Sequence, residues 1–516
     1  MDVIFAIGTN TTEQHPVIGM KMKRAVRRHG AKLIVADPRK IGLVKYAALW
    51  LRQKPGTDVA LLNGMMNVIL SEALYAKEYV ETRTEGFEAM KKVVKKYTPK
   101  YVENITAVPA EDIKRAARLY ASAGAAAIFF SMGITQHTTG VDNVKSCANL
   151  AMLCGNVGVE GGGVNPLRGQ NNVRGACDMG ALPIVFTGYQ PVTNDEARAK
   201  FEKAWGVSLP PKPGLTLVET LNAAYEGKIK ALYVMGENPM LSDPDLTHAK
   251  DALNHLELLI VQDIVLSETA QLAHVVLPAA SFAEKDGTFT NTERRVQRIR
   301  KAVTVPGQAK ADWEIISELS TKMGYPMDYV NPEAIMHEIN GLTPSYAGIS
   351  YDRIEKVGLQ WPCPNTTHLG TKILHVDRFT RGLGLFSDVE YKPPAEVPDK
   401  EYPFVMTTGR VLYRYHTGTM SRLSEGITER CPESLVEINP RDAEKIGSTN
   451  GQFVKVSSRR GVLQARSAVT ERVPDGTIFM NFHFREAPVN VLTNPALDPI
   501  AKIPEFKVCA VQVEKV

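Results

Sequence analysis

The residues best suited to chemistry in this chain stand in one polar stretch, NPLRGQNNVRGACDMG, at residues 165–180. The stretch combines two arginines, a run of amide side chains and three glycines. It shows no apolar period, so we predict that it forms neither a helix nor a strand. Seven glycines fall within residues 155–175. Such a segment is either a flexible surface connector or the lining of a pocket for a large polar ligand.

Further polar residues stand where predicted strands end. They occur at residues 8–15, 37–39, 131–137, 236–239 and 262–264. In open parallel sheets the usual ligand site is the crevice outside the carboxyl ends of the strands. Asp37 would accept hydrogen bonds from a guanine or ribose edge, and Gly8 and Gly133 would let the backbone approach a pyrophosphate. Each segment by itself is equally compatible with an ordinary turn or helix cap.

The C-terminal part of the chain contains one more concentration of functional side chains. Thr408, Gly409 and Arg410 follow an apolar strand and lead into VLYRYHT at residues 411–417, which ends with His416 and Thr417. These residues form either part of a ligand site or a packed β-hairpin. For the other histidines considered, His15, His137 and His483, a structural role is favoured over a proton relay.

Several functional classes are excluded by composition and spacing. The chain has no G-x-x-x-x-G-K-[ST] loop, no G-x-G-x-x-G turn after a strand and no nucleophile elbow. Its net charge is only +5, and the basic clusters at residues 21–28 and 294–301 are expected to be solvated, so we predict no nucleic-acid partner. No apolar run reaches the roughly 20 residues of a membrane span. The six cysteines lack C-x-x-C and zinc spacing, which predicts thiols in the cytoplasm.

Two types of element must position these residues. Near-continuous apolar strands alternate with helical segments, which predicts an α/β fold with doubly wound parallel sheets. The first sheet is expected within residues 1–165 and the second around the strands at 230–239, 256–264 and 274–280. After about residue 400 the pattern changes to alternating strands, and 453–470 suggest an antiparallel barrel or sandwich. The connecting region 300–395 shows one clear helix, at 311–324.

Five segments together resemble a known family. They are residues 165–180, FAIGTNTTEQHP (5–16), VADPRK (35–40), TGRVLYRYHTGTM (408–420) and LDPIAKIPEFKVCAVQVE (497–514). They are similar to the catalytic subunits of formate dehydrogenases, within the dimethyl sulfoxide reductase superfamily of molybdopterin oxidoreductases. The resemblance runs nearly end to end. It implies an α/β dinucleotide-binding domain at 1–170, a second α/β domain at 171–395 and a β-barrel dinucleotide-binding domain at 396–516.

The resemblance also implies the cofactor, bis(molybdopterin guanine dinucleotide) carrying Mo or W. Its two nucleotides would lie across the α/β domains, with the barrel domain closing over them. Two pyrophosphates need many oriented N–H and cationic donors, so polar loops are expected. The implied cofactor-binding residues are Gly8, Thr9, Asn10, His15, Asp37, Pro38, Arg39, Met132, Gln136, Gly169, Gln170, Asn171, Gly236, Glu237, Asn238, Gln262, Asp263, Thr408, Gly409, Arg410, His416, Thr417, Asn490 and Lys507.

Arg168 is the implied catalytic residue. In the family the matching arginine lies beside the metal and pairs with the carboxylate of formate, which is oxidised to carbon dioxide. A guanidinium binds a carboxylate through two parallel hydrogen bonds and stays charged, so it can orient the substrate. The alternative role for Arg168 is a phosphate clamp. Gln170 and Asn171 would hold the pterin or the surroundings of the metal.

One departure from the family pattern affects the interpretation. The family carries a cysteine motif for a [4Fe–4S] cluster and a Cys or selenocysteine metal ligand upstream of the segment where this sequence begins. We therefore predict no metal ligand here, an incomplete second α/β domain, and an upstream segment or separate N-terminal half. An iron–sulfur or other electron-transfer subunit is the expected partner. A non-catalytic pterin-binding half and a nitrate-reductase-type enzyme are the alternatives.

Overall fold

The computed structural model describes residues 1–516, which form two compact units. Unit 1 contains residues 1–167, 241–247 and 373–516, and unit 2 contains residues 168–240 and 248–372. The division into three domains with boundaries at 170 and 395 stays a prediction. None of the helices combines the length and the apolar composition that a bilayer span requires.

Unit 1 begins with a parallel sheet whose strand ends lie level. The strands in this part of the chain are β1 Val3–Ile7, β2 Lys32–Ala36, β3 Leu49–Leu51, β4 Thr84–Glu85, β5 Ala126–Phe130 and β6 Gly163–Pro166. All but β4 form one sheet in the order β3-β2-β1-β5-β6, and every pair is parallel. Ile7 pairs with Ala36 and with Phe130, and Ala36 pairs with Leu51. The loops that follow these strands therefore leave the sheet at one edge.

Helices cover both faces of this sheet. They are α1 Thr11–Gln14, α2 Pro16–His29, α3 Asp58–Ser71, α4 Lys77–Arg83, α5 Phe87–Val94, α6 Pro99–Thr106, α7 Ala110–Ala121, α8 Met132–Thr135 and α9 Gly140–Leu153. Side chains of α3, α7 and α9 pack with Phe5 on one face, while Met22 of α2 packs with Ile4 on the other. All five residues of β1 are buried, which explains the unbroken apolar run in the sequence.

Unit 2 contains a smaller parallel sheet. The helices of this region are α10 Val173–Asp178, α11 Asp195–Trp205, α12 Leu217–Tyr225, α13 Pro239–Ser242, α14 Leu246–Asn254, α15 Asp312–Lys322, α16 Pro332–Leu342 and α17 Tyr351–Ile354. The strands are β7 Val185–Phe186, β8 Gln190–Pro191, β9 Ala231–Met235, β10 Leu258–Asp263, β11 Val275–Pro278, β12 Gly287–Thr290, β13 Arg295–Ile299 and β14 Leu359–Gln360. The parallel sheet has the order β11-β10-β9. Side chains of α12 and α14 pack on one of its faces.

The C-terminal part of unit 1 is a closed six-stranded barrel. After β15 Gly384–Leu385 come β16 Phe404–Gly409, α18 Glu425–Arg430, β17 Leu435–Ile438, α19 Pro440–Lys445, β18 Phe453–Ser457, β19 Val462–Val469, β20 Thr477–Asn481 and β21 Cys509–Lys515. The barrel order is β16-β20-β17-β19-β18-β21. The barrel and the antiparallel pairing of β18 with β19 within 453–470 are confirmed. Two other pairs, β16–β20 and β17–β19, are parallel, so the barrel is mixed and not wholly antiparallel. Long connections join these strands, and only long crossovers permit parallel pairing.

Two further expectations are corrected by the structure. The stretch 165–180 does contain regular elements, because it begins with the end of β6 and includes α10. A six-residue helix with an internal glycine is too short to show an apolar period. The region 300–395 contains α16 in addition to the predicted helix, and Asn331 caps its N-terminus by accepting a hydrogen bond from the Ala334 backbone N–H.

Candidate functional site

A cavity in unit 1 lies where the parallel sheet meets the barrel, and we call it the strand-end cavity. Ten of the residues that the family resemblance implies line it: Gly8, Thr9, Asn10, Asp37, Pro38, Arg39, Met132, Thr408, Gly409 and Lys507. The remaining lining residues are Gln14, Ile41, Gln53, Lys54, Pro55, Gly56, Asp58, Gly133, His137, Thr407 and Phe479. The level ends of β1, β2, β3 and β5 bring these loops together.

Two glycines let the loops after β1 and β5 touch through their backbones. Gly8 has a φ of +55°, and its carbonyl oxygen accepts a hydrogen bond of 3.1 Å from the backbone N–H of Gly133. A Cβ atom on Gly8 would lie 2.8 Å from the carbonyl carbon of Gly133, and one on Gly133 would lie 2.6 Å from the oxygen of Gly8. Side chains at these positions would force the two loops apart.

Arg39 lines the cavity, but its charge is already paired. The guanidinium donates to both carboxylate oxygens of Glu437, from Nε at 3.1 Å and from Nη2 at 2.7 Å. Its central carbon lies 3.4 Å from the ring centre of Phe479. Both Arg39 and Glu437 are buried. This pair fixes the loop after β2 to the barrel strand β17.

The net charge of the cavity depends on the protonation of two buried groups, Asp37 and Lys507. Burial raises the pKa of Asp37 to about 6, against the opposing effects of the Arg39 backbone N–H and charge. Burial, followed by the charge of Arg410, lowers the pKa of Lys507 to about 7. The Lys507 Nζ donates a hydrogen bond of 2.7 Å to the Thr408 carbonyl oxygen. Because both groups titrate near neutrality, a bound anion would favour the charged ammonium.

Sequence reasoning missed a buried acid on the third loop of this cavity, Asp58. The loop KPGTD at residues 54–58 follows β3, and Asp58 begins α3. Burial raises the pKa of Asp58 to about 7, and Gln53 Nε2 donates to its Oδ1 at 3.2 Å. His137 Nε2 lies 4.0 Å from its Oδ2. The sequence carried a weak signal for this loop. The short apolar run Leu49-Trp50-Leu51 followed by Pro55 and Gly56 indicates a short strand and a turn.

The cavity can hold the polar edges of a nucleotide. Four buried side-chain atoms on its wall have no hydrogen-bond partner within the protein, namely Thr9 Oγ1, Asn10 Nδ2, Gln53 Oε1 and His137 Nδ1. Buried polar atoms are normally satisfied, so donors and acceptors directed at one cavity indicate a polar ligand. Together with the Lys507 ammonium they fit a phosphate-bearing nucleotide.

A second cavity lies in unit 2, and we call it the Arg168 cavity. It is lined by Arg168, Gly169, Gln170, Asn171, Asn172, Arg174, Thr290, Asn291 and Thr292. The first four are residues implied by the sequence. The others were missed because a short helix, α10, and the end of β12 bring them into place. Asn172 Oδ1 accepts a hydrogen bond of 2.9 Å from the backbone N–H of Thr290. The stretch is therefore anchored and lines a cavity, and the large polar ligand of the second interpretation stays a prediction.

Five implied residues lie at the carboxyl ends of β9 and β10 in unit 2. They are Gly236, Glu237, Asn238, Gln262 and Asp263. Asn238 donates to Glu268 at 2.8 Å and accepts from the Thr269 hydroxyl at 2.7 Å. Gln262 donates to Asp312 at 2.7 Å. These amides thus already bond within the protein, and their role at a ligand stays a prediction.

The remaining implied residues lie in unit 1 outside the strand-end cavity. Asn490 donates to the carbonyl oxygens of Leu241 and Ser242. His416 has a φ of +47°, and its carbonyl oxygen bonds the ring of His483. Burial lowers the pKa of His416 to about 4. Residues 411–417 form turns in place of the β-hairpin considered as an alternative. The others in this group are His15, Gln136, Arg410 and Thr417.

Comparisons with known proteins agree with this geometry. A family model described as molybdopterin oxidoreductase matches residues 1–322, and one described as molybdopterin dinucleotide binding domain matches residues 404–510. The chain is 53% identical to the F420-dependent formate dehydrogenase subunit alpha of Methanocaldococcus jannaschii, covering 100% of this chain and 76% of the relative. It is 42% identical to formate dehydrogenase H of Escherichia coli, covering 100% of this chain and 73% of the relative.

A solved structure shows the same fold. Acetylene hydratase from Pelobacter acetylenicus superposes with a TM-score of 0.78, covering 100% of this chain and 78% of that chain at 20% identity. The α/β sheets and the C-terminal barrel are therefore an architecture shared with a distant protein.

Proposed function

Since this chain belongs to the molybdopterin oxidoreductase family, we propose that it is the catalytic polypeptide of a formate dehydrogenase, which oxidises formate to carbon dioxide. The observation that carries the proposal is the Arg168 cavity, a polar cavity lined by arginine and amide side chains. Similarity along the whole chain to formate dehydrogenase alpha subunits supports it.

The proposed cofactor is bis(molybdopterin guanine dinucleotide) with Mo or W. When bound, it supplies a centre that accepts two electrons. In unit 1 one nucleotide would contact Thr9, Asn10, Asp37 and Lys507, which line the strand-end cavity. The close backbone contact of Gly8 with Gly133 would hold the two loops beside it in place. The proposed set in this unit is completed by Pro38, Arg39, Met132, Gln136, His15 and the residues of the C-terminal region Thr408, Gly409, Arg410, His416, Thr417 and Asn490.

Unit 2 would supply the residues for the second nucleotide and for the substrate. Gly236, Glu237, Asn238, Gln262 and Asp263 are proposed for the nucleotide. Arg168 would hold the carboxylate of formate through two parallel hydrogen bonds, which fixes the direction of the C–H bond. The product, carbon dioxide, carries no charge and so loses this ion pair, which favours its release. Gly169, Gln170 and Asn171 would line the pterin side of the cavity.

The proposed partners carry the electrons onward. We place a [4Fe–4S] cluster on a further polypeptide segment and an iron–sulfur or other electron-transfer subunit beyond it. The sheet β11-β10-β9 supports such a partner, because one of its faces exposes Tyr233, Met235, Leu258 and Val275. All six cysteines are free thiols, which supports a location in the reducing cytoplasm.

Replacing Arg168 tests the proposed function. In the assembled enzyme, Arg168→Lys keeps a positive charge but cannot form two parallel bonds, so we expect kcat/KM for formate to fall about 10- to 100-fold. Arg168→Gln should lower it further. Formate-dependent dye reduction measures the effect, and Arg28→Lys on the exposed side of α2 is the matched control. An Arg168→Lys enzyme with an unchanged formate rate would refute this role for Arg168. A parent enzyme that reduces nitrate and does not oxidise formate would refute the proposed function and favour a nitrate-reductase-type activity.

A further inference from the structure

A second arginine lines the Arg168 cavity and has no role in the proposed function. Arg174 is the second residue of α10, and 16% of its side chain is exposed. Its Nε is buried and has no hydrogen-bond partner within the protein. Because Nε faces the Asp178 carboxylate, the donors left for a ligand are the terminal N–H groups of the guanidinium.

Aromatic rings and one carboxylate hold this guanidinium in place. Its central carbon lies 4.8 Å from the ring centre of Trp361 and 5.8 Å from that of Tyr189. Arg174 Nε lies 3.5 Å from Asp178 Oδ1. A planar cation stacked on a ring keeps its in-plane donors available to a ligand.

Asp178 is anchored on its other oxygen. Its Oδ2 accepts hydrogen bonds from Tyr346 Oη at 2.7 Å and from Trp361 Nε1 at 2.6 Å, and its side chain is fully buried. Tyr346 Oη also lies 3.3 Å from Thr290 Oγ1. Thr290 in turn holds Asn172. These bonds tie both ends of α10 to the same neighbouring residues, so the helix cannot rotate without breaking several of them.

We infer that Arg174 is a second anion-binding residue of the Arg168 cavity, that the cavity takes a small planar carboxylate between two guanidinium groups, and that Asp178 is a positioning residue for Arg174. The inference rests on the proposed function for the identity of the anion as formate. Two fixed cations bind a small carboxylate more tightly than one, because each can donate charge-assisted hydrogen bonds to it.

Trp361 makes the inference testable by direct binding. We expect the tryptophan fluorescence of the purified full chain to change saturably with sodium formate and not with equal sodium chloride. Arg174→Gln should raise the dissociation constant about tenfold or more. Arg174→Lys should raise it less, and Asp178→Asn should raise it by a smaller factor than Arg174→Gln. Arg28→Gln is the matched control, and Trp361→Phe removes the reporter.

Two outcomes would overturn the inference: an Arg174→Gln chain that binds formate as tightly as the parent, and a parent chain that responds equally to formate and chloride. Kinetics of the assembled enzyme separate this failure from failure of the proposed function. We expect Arg174→Gln and Asp178→Asn to raise KM for formate while kcat changes less than about threefold. Normal formate oxidation with an unchanged KM in Arg174→Gln rejects the inference alone. Formate binding that depends on Arg174 in an enzyme that does not oxidise formate rejects the proposed function alone.

Discussion

Asp58 is a carboxylic acid in an environment that strongly disfavours its charged form. Only 3% of it is exposed, and burial raises the pKa of its carboxyl group to about 7. In the folded chain it is therefore protonated over a range in which the unfolded chain is ionised. Stability from this group is fully present below the unfolded pKa, near 4, and is lost as the pH rises towards 7.

Asp58→Asn should remove this pH dependence while keeping the bond from Gln53, because the Asn amide oxygen can accept it. We expect the variant to gain stability over the parent as the pH rises, with the difference growing by roughly 3 kcal/mol between pH 5 and pH 8. Urea unfolding of the full chain at several pH values measures this difference. Burial lowers the pKa of His137 to about 4, so this group changes the stability with pH in the opposite direction. Both proteins contain His137, so its effect cancels in the difference between them.

The exposed Asp251 of α14 provides the control, since Asp251→Asn changes neither a buried charge nor a cavity wall. The same constant difference from the parent at every pH is expected for it. An Asp58→Asn chain whose stability runs parallel to that of the parent from pH 5 to pH 8 would show that Asp58 is solvated and ionised in the native state.

At the scale of the elements, the contact between the loops after β1 and β5 shapes the strand-end cavity. Gly8→Ala would meet the Gly133 carbonyl carbon at 2.8 Å in a backbone with a φ of +55°. Gly30→Ala is a matched control, because Gly30 has a φ of +71° and nothing within 4 Å of its Cβ position. We expect Gly30→Ala to cost about 1 kcal/mol for the left-handed backbone. Gly8→Ala should cost at least about twice as much, because the loops must also separate.

Thermal and urea unfolding of the three proteins measure this difference. Equal destabilisation by both alanines would mean that the two loops can move apart freely. A larger loss of unfolding free energy in Gly8→Ala would show that the close contact between the loops depends on glycine at position 8.

Much of this edge could be predicted from the sequence, and the reason is length. The strands β1 and β5 each have five apolar residues, and β2 has four apolar residues after Lys32, so their ends and the polar residues beyond them could be located. The strand β3 has only three residues and is followed by Arg52, so the signal for the loop that carries Asp58 was too short to be recognised. The wall formed by Arg174 depends on α10, whose six residues give no measurable period.

Tertiary contacts decide what the remaining side chains do, and the sequence does not show them. Arg39 was expected at a nucleotide, but its partner Glu437 lies almost four hundred positions away in the sequence and pairs with it at 2.7 Å. Asn490 was expected at the cofactor and bonds the carbonyl oxygens of Leu241 and Ser242. A sequence motif shows which residues belong to a site. The hydrogen-bond partners of those residues depend on how distant segments of the chain pack.

On the scale of the whole molecule, unit 2 shows a parallel sheet with one uncovered face. Tyr233, Ile260 and Val275 lie in register across β9, β10 and β11 on the face opposite α12 and α14. Tyr233 is 37% exposed and Val275 is 41% exposed. Parallel sheets are almost always covered on both faces, and large exposed apolar patches mark interaction sites. We expect a further polypeptide segment to cover this face in the working enzyme.

Charges on this face should therefore change association and not folding. We expect Met235→Lys with Val275→Lys to lower the binding of a hydrophobic dye to the isolated chain and to reduce its self-association, while the unfolding free energy changes by less than about 1 kcal/mol. Val234→Lys places the same charge on the opposite, buried face of β9 and should unfold unit 2. Dye fluorescence, sedimentation and urea unfolding distinguish these effects.

A binding test follows from the same reasoning. A polypeptide that covers this face should suppress dye binding to the parent chain. The double variant should fail to bind that polypeptide, because lysine side chains would place charges in an apolar interface. Unchanged dye binding and association in the double variant would mean that this face is an ordinary solvated surface.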